Sequence, residues 1–342
     1  MKAVLIRKHG GPEVLEIADL PRPKAEPGQV VIQVKAAGMN HLDTWVRRGM
    51  PGVTPPLPMI PGSDASGIVA EVGAGVAALA PGERVFVSPG TSCGRCDACL
   101  SGQEPLCKDY RMIGEDQNGT QAEFVALPAA NLLPLPASLS FEEGAAFPLV
   151  FLTAWHMLVA RAGVRLGDDV LVHAAGSGVG SAAVQIARLH GARVLATVGS
   201  PAKADKARAL GADETIEYKT KDFLEEVRRL TGKRGVDIVF DSIGQETWEK
   251  NLKVLARGGR LVNCGATSGY QCMTDIRYLF SKGLSILGST LGSRAELLRL
   301  ARLMGERRLR PVIDRVLPLE KVAEGHRAMA DRALFGKVVL TP

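Results

Sequence analysis

Hydrophobic positions follow two different rhythms along the chain. Up to about Leu149 they come in short runs: KAVLIRK, VVIQVKAAG, ASGIVAEVGAGV, ERVFVSP and AEFVALP. Pro-Gly pairs beginning at Pro27, Pro61 and Pro81 punctuate these runs. Short strands split by turn residues predict a compact, partly open β-barrel. Beyond that point the rhythm changes. Val170, Leu171 and Val172 suit a strand buried on both faces. Val179, Ala182, Ala183, Ile186, Ala187 and His190 then recur at helical spacing, ahead of a second strand at Arg193–Val198. The alternation continues through TIEY, DFLEEVRRL, VDIVFD, a helix from about Glu246, RLVNCG and LSILGS. Strands alternating with helices predict an α/β domain with a doubly wound parallel sheet. A helix over residues 295–307, VIDRVLPL, a further helix and GKVVLTP close the chain. The last strand is predicted to return to the first domain. The expected division is residues 1–149 with 291–342 for the β-rich domain, and 150–290 for the parallel-sheet domain.

The turn between the first two strands of the second domain carries candidate chemistry. Gly176, Ser177, Gly178, Val179 and Gly180 lie where a strand gives way to a helix. Glycines let backbone approach a ligand, and a helix N-terminus offers free N–H groups to an anion. The glycines run GxGxG, and the strict GxGxxG register ending at Gly180 starts at Ala175. Their setting, after an apolar strand and before a helix and second strand, suits a pyrophosphate. Ligands of such sheets lie beyond the carboxyl ends of the strands. Gly265 and Ser289 fall at two further ends and are expected to line the same site.

Composition narrows the class. The chain has 342 residues, 46% of them hydrophobic, and a formal charge of +6. No run of about 18 uncharged apolar residues occurs, so no membrane span is expected. The N-terminus lacks the apolar core of a signal peptide, which predicts a cytoplasmic protein. RRLTGKR and ERRLR are short basic clusters mixed with apolar residues. They read as solvated helix faces, and no nucleic-acid partner is expected.

Four of the six cysteines crowd into one stretch, SCGRCDACLSGQEPLC. Cys93, Cys96, Cys99 and Cys107 are spaced C-x2-C-x2-C-x7-C, within a lobe of about residues 90–110. Four thiolates on one loop can close a tetrahedron around one zinc ion per chain, leaving no open position, so its role is structural. An iron–sulfur cluster is the competing reading, although the x3 gap and following Pro of bacterial ferredoxins are absent. Cys264 and Cys272 read as packed thiols.

A β-rich domain, this cysteine lobe, a glycine-turn βαβ domain and a return segment together resemble the medium-chain dehydrogenase/reductase superfamily. The resemblance covers the whole chain and is carried by PGSDASGIV, the cysteine lobe, and LTAWHMLV followed by AAGSGVG. It implies a GroES-like barrel domain, a Rossmann domain, a small-molecule substrate, and a homodimer or homotetramer. The cysteine lobe is similar to zinc alcohol dehydrogenases; NHLDTW, PGSD and the glycine turn are similar to quinone oxidoreductases. Zinc alcohol dehydrogenases hold a catalytic zinc through Cys, His and Cys, and the matching positions here are Asn40, Ser63 and Leu149. Their proton relay positions hold Leu42 and Trp45. Asp43 and Asp64 match acidic residues that support the ligands. By the same resemblance, His41 meets the pyrophosphate, Thr153 lies under the nicotinamide ring, and Trp45 forms a wall beside the cofactor.

The cofactor reading turns on the second strand. NAD sites place an acid about 20 residues past the glycines. No acid stands at Gly199, whereas Ser200 and Lys203 can donate to a 2′-phosphate, and Tyr218 matches a quinone oxidoreductase position. NADP is therefore expected, with NAD open. The leading reading is an NAD(P)(H)-dependent oxidoreductase acting on a carbonyl, enone or quinone, without a conventional catalytic zinc, with Asn40, Ser63 and Asp64 at the reacting centre. The alternatives are an alcohol dehydrogenase, using an unconventional metal site near His41 and Asp64 or none, and a non-catalytic NADPH-binding protein.

Overall fold

The computed structural model describes residues 1–49, 52 and 55–342. The chain divides into two compact units, Met1–Leu149 with Ser293–Pro342, and Val150–Gly292.

The first unit is built on a seven-stranded sheet. Its path runs Ile313–Pro318, Lys337–Thr341, Gln29–Gly38, Asp64–Val72, Arg84–Val87 and Leu132–Pro134, with Phe124–Pro128 also paired to Gln29–Gly38. Val30, Ile32 and Val34 point into one core with Val69, Val85, Leu127 and Leu340. Register shifts at Val31/Ile32 and Val34/Ala36 bend the strand, as closure into a barrel requires. Past the second shift, Ala36 joins Ala145, Ala146 and Val339 in a separate cluster. The helix Phe141–Ala146 supplies the two alanines and starts at a Ser140–Glu143 capping box. It lies so close to the strand that a Cβ on Gly38 would fall 2.1 Å from the Ala145 carbonyl oxygen.

Two local features fix the region that follows. The stretch after Gly38 forms a helix, His41–Arg48, which the sequence pattern did not predict. Asp43, at its third position, accepts the Asn40 backbone N–H at 2.8 Å. The return strand Lys337–Thr341 pairs antiparallel with Gln29–Gly38, setting Val339 against Gly38 and Leu340 against Ala37. That register brings Lys337, from the far end of the chain, beside Asn40. The cysteine lobe is pinned at its base by Gly90–Thr91 paired with Arg111–Met112.

The second unit holds six parallel strands in the order Glu214–Glu217, Arg193–Val198, Asp169–Val172, Val236–Asp241, Leu255–Asn263 and Ser285–Gly288. Numbered along the chain this is 3-2-1-4-5-6, the Rossmann order, with its switch point between Asp169–Val172 and Val236–Asp241. Val170, Leu171, Val172, Val194 and Leu195 are fully buried, which explains why these strands read as continuous apolar runs. Among the described residues no helix is long and apolar enough to cross a membrane.

Candidate active site

Asn40, Ser63 and Asp64 meet in a buried polar centre of the first unit. Their exposures are 4%, 0% and 0%. Sheet register sets Gly38 opposite Asp64, so the segment leaving one strand faces the residue opening the next. Asn40 Nδ2 donates to Asp64 Oδ2 at 2.9 Å, and the Leu149 backbone N–H donates to Asp64 Oδ1 at 2.9 Å. Lys337 completes the group. Its Nζ donates to Asn40 Oδ1 and lies 3.1 Å from Asp64 Oδ2. The Asn40 carboxamide is therefore oriented from both ends, leaving one amide N–H over. Ser63 Oγ is buried with no partner among the described residues.

Asp43 stands on the other side of Asn40. Its Oδ2 accepts from Asn40 N and from Gln121 Nε2, the latter at 3.2 Å. Burial pushes its pKa up to about 7; the Asn40 N–H and the Lys337 charge oppose that shift, and Asp64 adds to it. The centre thus holds two carboxylic groups and one ammonium. Sequence reading found Asn40, Ser63, Asp43 and Asp64 but missed Lys337 and Gln121. The available signal for Lys337 was a charged residue opening an otherwise apolar strand.

As a metal site this centre is poor. Asn40 offers an amide and Ser63 a hydroxyl, both poor zinc donors, and the Lys337 ammonium lies against Asn40 and Asp64. Among the described residues, Cys93, Cys96, Cys99 and Cys107 form the one group of His, Cys, Asp or Glu able to hold an ion. His41 is not part of such a group: its ring meets Trp45 edge-on at 5.1 Å. Desolvation, then Arg48 and Arg332, push the His41 pKa down, although the side chain keeps a face to solvent.

The cysteine group fits zinc. All four sulfurs lie within 4.8 Å of one another. Three of the Sγ separations are 3.6, 3.6 and 3.9 Å. Zn–S bonds of about 2.3 Å in a regular tetrahedron give edges of about 3.8 Å. Backbone N–H groups of Arg95 and Cys96 pull the Cys93 thiol down to about 6, while the neighbouring thiols help push Cys96 up to about 11, so the support for zinc is the geometry of the four sulfurs. An iron–sulfur cluster spreads its thiolates over separate irons and needs a wider group. Cys264 is a different case, with burial pushing its thiol up to about 12.

The glycine turn lies at the carboxyl end of Asp169–Val172. Ala174 adopts φ +50°. Ser177 caps the helix Gly178–Leu189, accepting the Gly180 N–H at 2.9 Å. Gly178 and Val179 open that helix, where N–H groups have no intrahelical acceptor. A Cβ on Gly180 would fall 2.2 Å from the Ala174 oxygen, so the helix start and the turn touch only because no side chain intervenes. This cradle fits the pyrophosphate of a dinucleotide. At the end of Arg193–Val198, Ser200 precedes the helix Pro201–Ala209 and Lys203 lies in its first turn. The Tyr218 hydroxyl lies 2.9 Å from where a Gly199 Cβ would stand. Gly265 N donates to Asn263 Oδ1 at 3.2 Å, and Ser289 N donates to Asn263 O at 2.9 Å. Ser289 Oγ is a buried atom with no partner among the described residues. Thr153 is buried in the helix Pro148–Trp155. Sequence reading missed Asp241, which accepts from Ile243 N, Gly244 N, Thr247 Oγ1 and Asn263 Nδ2 and so shapes the loop beside the switch point.

Comparison with known proteins agrees on the class. Residues 26–137 match the alcohol dehydrogenase GroES-like domain and residues 178–306 match the zinc-binding dehydrogenase family. The chain is 33% identical to a quinone oxidoreductase of Rattus norvegicus over 99% of its own length and 97% of the relative's. It is 31% identical to an alcohol dehydrogenase of Geobacillus stearothermophilus, over 99% of both. A solved structure described as an NAD-dependent alcohol dehydrogenase superposes with a TM-score of 0.95 at 53% identity, covering 100% of both chains.

Proposed function

The chain belongs to the medium-chain dehydrogenase/reductase superfamily of NAD(P)-dependent oxidoreductases, and from that premise we propose that it reduces a conjugated carbonyl or quinone with NADPH. The observation that carries this reading is the Lys337–Asn40–Asp64 group. A site that oxidises simple alcohols through a metal needs three strong donors and an open position. Here the donor positions are occupied by side chains that bind one another and an internal cation.

When bound at the glycine turn, the cofactor supplies hydride. The residues supply the rest. The second Asn40 N–H and the Ser63 hydroxyl donate to the substrate oxygen that gains negative charge. Lys337 and Asp64 hold Asn40 in place, and the Lys337 charge adds a favourable field at that oxygen. Donors fixed before reaction need no reorganisation as charge develops. A conjugated acceptor asks less of them than an isolated carbonyl, because its charge is spread.

Ser200, Lys203 and Tyr218 favour NADPH, since a cation and hydroxyls stand where NAD sites keep a carboxylate. The zinc ion at Cys93, Cys96, Cys99 and Cys107 is structural on this reading. A second reading, alcohol oxidation with NAD, is favoured by the description of the 53% identical structure. One experiment separates the two: metal analysis of purified protein, paired with assays of a naphthoquinone, ethanol and benzyl alcohol against both cofactors. The proposal expects one zinc per chain and fastest turnover of the quinone with NADPH. Two zincs, or chelator-sensitive ethanol oxidation as the fastest reaction, would hand the case to the second reading.

The protein is further proposed to act as a homodimer in the cytoplasm. Ser285–Gly288 is an exposed edge of the parallel sheet, and Tyr270, Met273, Ile276 and Phe280 are exposed in the preceding segment. An apolar edge with unpaired backbone groups suits isologous pairing with a second copy. A monomer mass in analytical ultracentrifugation at micromolar concentration would count against it.

A further inference from the structure

We propose that His173 is a positioning residue for the cofactor, fixing the dinucleotide turn through Thr197. His173 follows the strand Asp169–Val172 at the switch point and is 1% exposed. Packing explains its ring, which meets Phe223 edge-on at 4.8 Å. Packing does not explain its nitrogens, both of which are engaged. Nε2 lies 2.8 Å from Asn251 Oδ1, and Nδ1 lies 3.2 Å from Thr197 Oγ1.

The chemistry of the partners sets the direction of each bond. With Asn251 Oδ1 facing it, Nε2 carries the ring proton, and Asn251 Nδ2 is left without a partner among the described residues. Burial pushes the His173 pKa down, so the ring is neutral and Nδ1 is an acceptor. Thr197 must then turn its hydroxyl hydrogen toward Nδ1. Its oxygen is left to accept the Ala174 N–H, at 3.0 Å. The Thr197 carbonyl accepts the next N–H, from Ala175, also at 3.0 Å. One residue of the neighbouring strand thus stitches down the first two N–H groups of the turn.

The stitching matters because of where the turn begins. Ala174 has φ +50°, a left-handed conformation that is unfavourable for a residue with a Cβ. The same residue's carbonyl accepts the Ser177 N–H at 2.8 Å and faces Gly180. A change in Ala174 therefore moves Ser177, the cap of the helix whose N-terminus meets the pyrophosphate. The relay runs from Asn251 through His173 and Thr197 to Ala174, and ends at the cap.

The inference rests on a dinucleotide occupying this turn, and not on the preference for NADPH. The test is the dissociation constant of NADPH and of NADH, each titrated by fluorescence into the zinc-replete protein without substrate. His173→Phe keeps a ring against Phe223 and removes both nitrogens. It is expected to weaken both cofactors by the same factor, roughly tenfold, because Thr197 and Ala174 lose their fixed arrangement. His173→Asn keeps an acceptor toward Thr197 and should recover most of that affinity. Thr197→Val should weaken both cofactors as much as His173→Phe, and combining the two should add little, as expected of one relay. A lowered melting temperature with unchanged dissociation constants, or His173→Asn binding as weakly as His173→Phe, overturns the proposal. So does a loss confined to NADPH, which would place the effect at the 2′-phosphate. Should His173→Phe fail to fold, Thr197→Val and His173→Asn carry the same test with the same expected contrast.

Discussion

Lys337→Met is the sharpest probe of the polar centre. Methionine has nearly the shape of lysine and no charge, so the strand pairing of Lys337–Thr341 is left alone. The change removes the donor to Asn40 Oδ1 and the cation beside Asp64 Oδ2. Asp64 is fully buried and Lys337 is 4% exposed, so water cannot replace what is lost. Breaking a buried pair by deleting one partner costs about 3–5 kcal/mol. In a unit of this size that lowers the melting temperature by on the order of 10 °C. Deleting both charges is a different perturbation. In Lys337→Met with Asp64→Asn the amide at 64 still accepts the Leu149 N–H through its carbonyl oxygen, the Asn40 carboxamide, freed from Lys337, can turn its oxygen to accept from the new NH2, and no charge is stranded. The double variant should therefore melt above the sum of its parts, recovering most of the loss. On the proposed function, quinone reduction reads the second consequence. Both the single and the double variant lose the cation that holds Asn40, so both should lose kcat with little change in KM. Calorimetry and steady-state assays on the zinc-replete protein measure these quantities. A loss below about 1 kcal/mol in the single variant, or strictly additive losses in the double, would refute a buried, coupled pair.

Cys96→Ser should lower stability by several kcal/mol, since structural zinc binding is folding free energy, and should leave turnover of the remaining folded protein nearly intact; lost activity with unchanged melting would refute the structural role. Lys203→Ala should weaken NADPH roughly tenfold through the loss of a charge-assisted bond to phosphate and leave NADH little changed in the same titration; equal effects on both would sink the phosphate contact. Asp43 gives a pH prediction. Its folded pKa of about 7 lies above an unfolded value of about 4, so the folded state holds a proton that the unfolded state has released. Stability from this group is full below about pH 4 and is lost as pH rises through about 7, by on the order of 4 kcal/mol. Melting of the native protein relative to Asp43→Asn should therefore fall between pH 5 and 8, and a flat or rising difference would contradict the burial argument.

Local pattern made much of this molecule legible. Strands buried on both faces announce themselves as apolar runs, and Val170–Val172 and Val194–Val198 did so. The cysteine group was legible because all four ligands lie on one loop, where spacing alone limits the geometry. The glycine turn was legible for the same reason. The helix His41–Arg48 was not. Eight residues make a helix that cannot stand alone, and this one is held by an N-terminal cap and by burial of Val46, Thr44 and Arg47. Lys337 was beyond reach of any window, since its partner Asn40 is 297 residues away. Only the register of the return strand joins them. His173 and Asn251, 78 residues apart, meet for a similar reason, because a turn after one strand and a much later helix are brought together by the sheet. What the sequence lacked in both cases was the long-range pairing that turns an isolated polar residue into half of a site.

On the proposed function, that pairing also gives Asp43 and Asp64 a role that needs no metal. In a zinc site, carboxylates behind the ligands orient groups that bind the ion. Here Asn40 and Lys337 are what remains to be oriented, and the acids orient them. Asp64 accepts from both; Asp43 accepts the Asn40 backbone N–H and closes the helix start. The charge balance is consistent with the same roles. One ammonium offsets Asp64, and burial lifts Asp43 into the range where it holds its proton near neutrality. A buried centre close to neutral overall avoids the cost of an unpaired charge. A divalent ion added to this centre would have to displace or deprotonate Lys337. On the proposed function, the return strand thus supplies by folding the positive charge that a metal site obtains by binding.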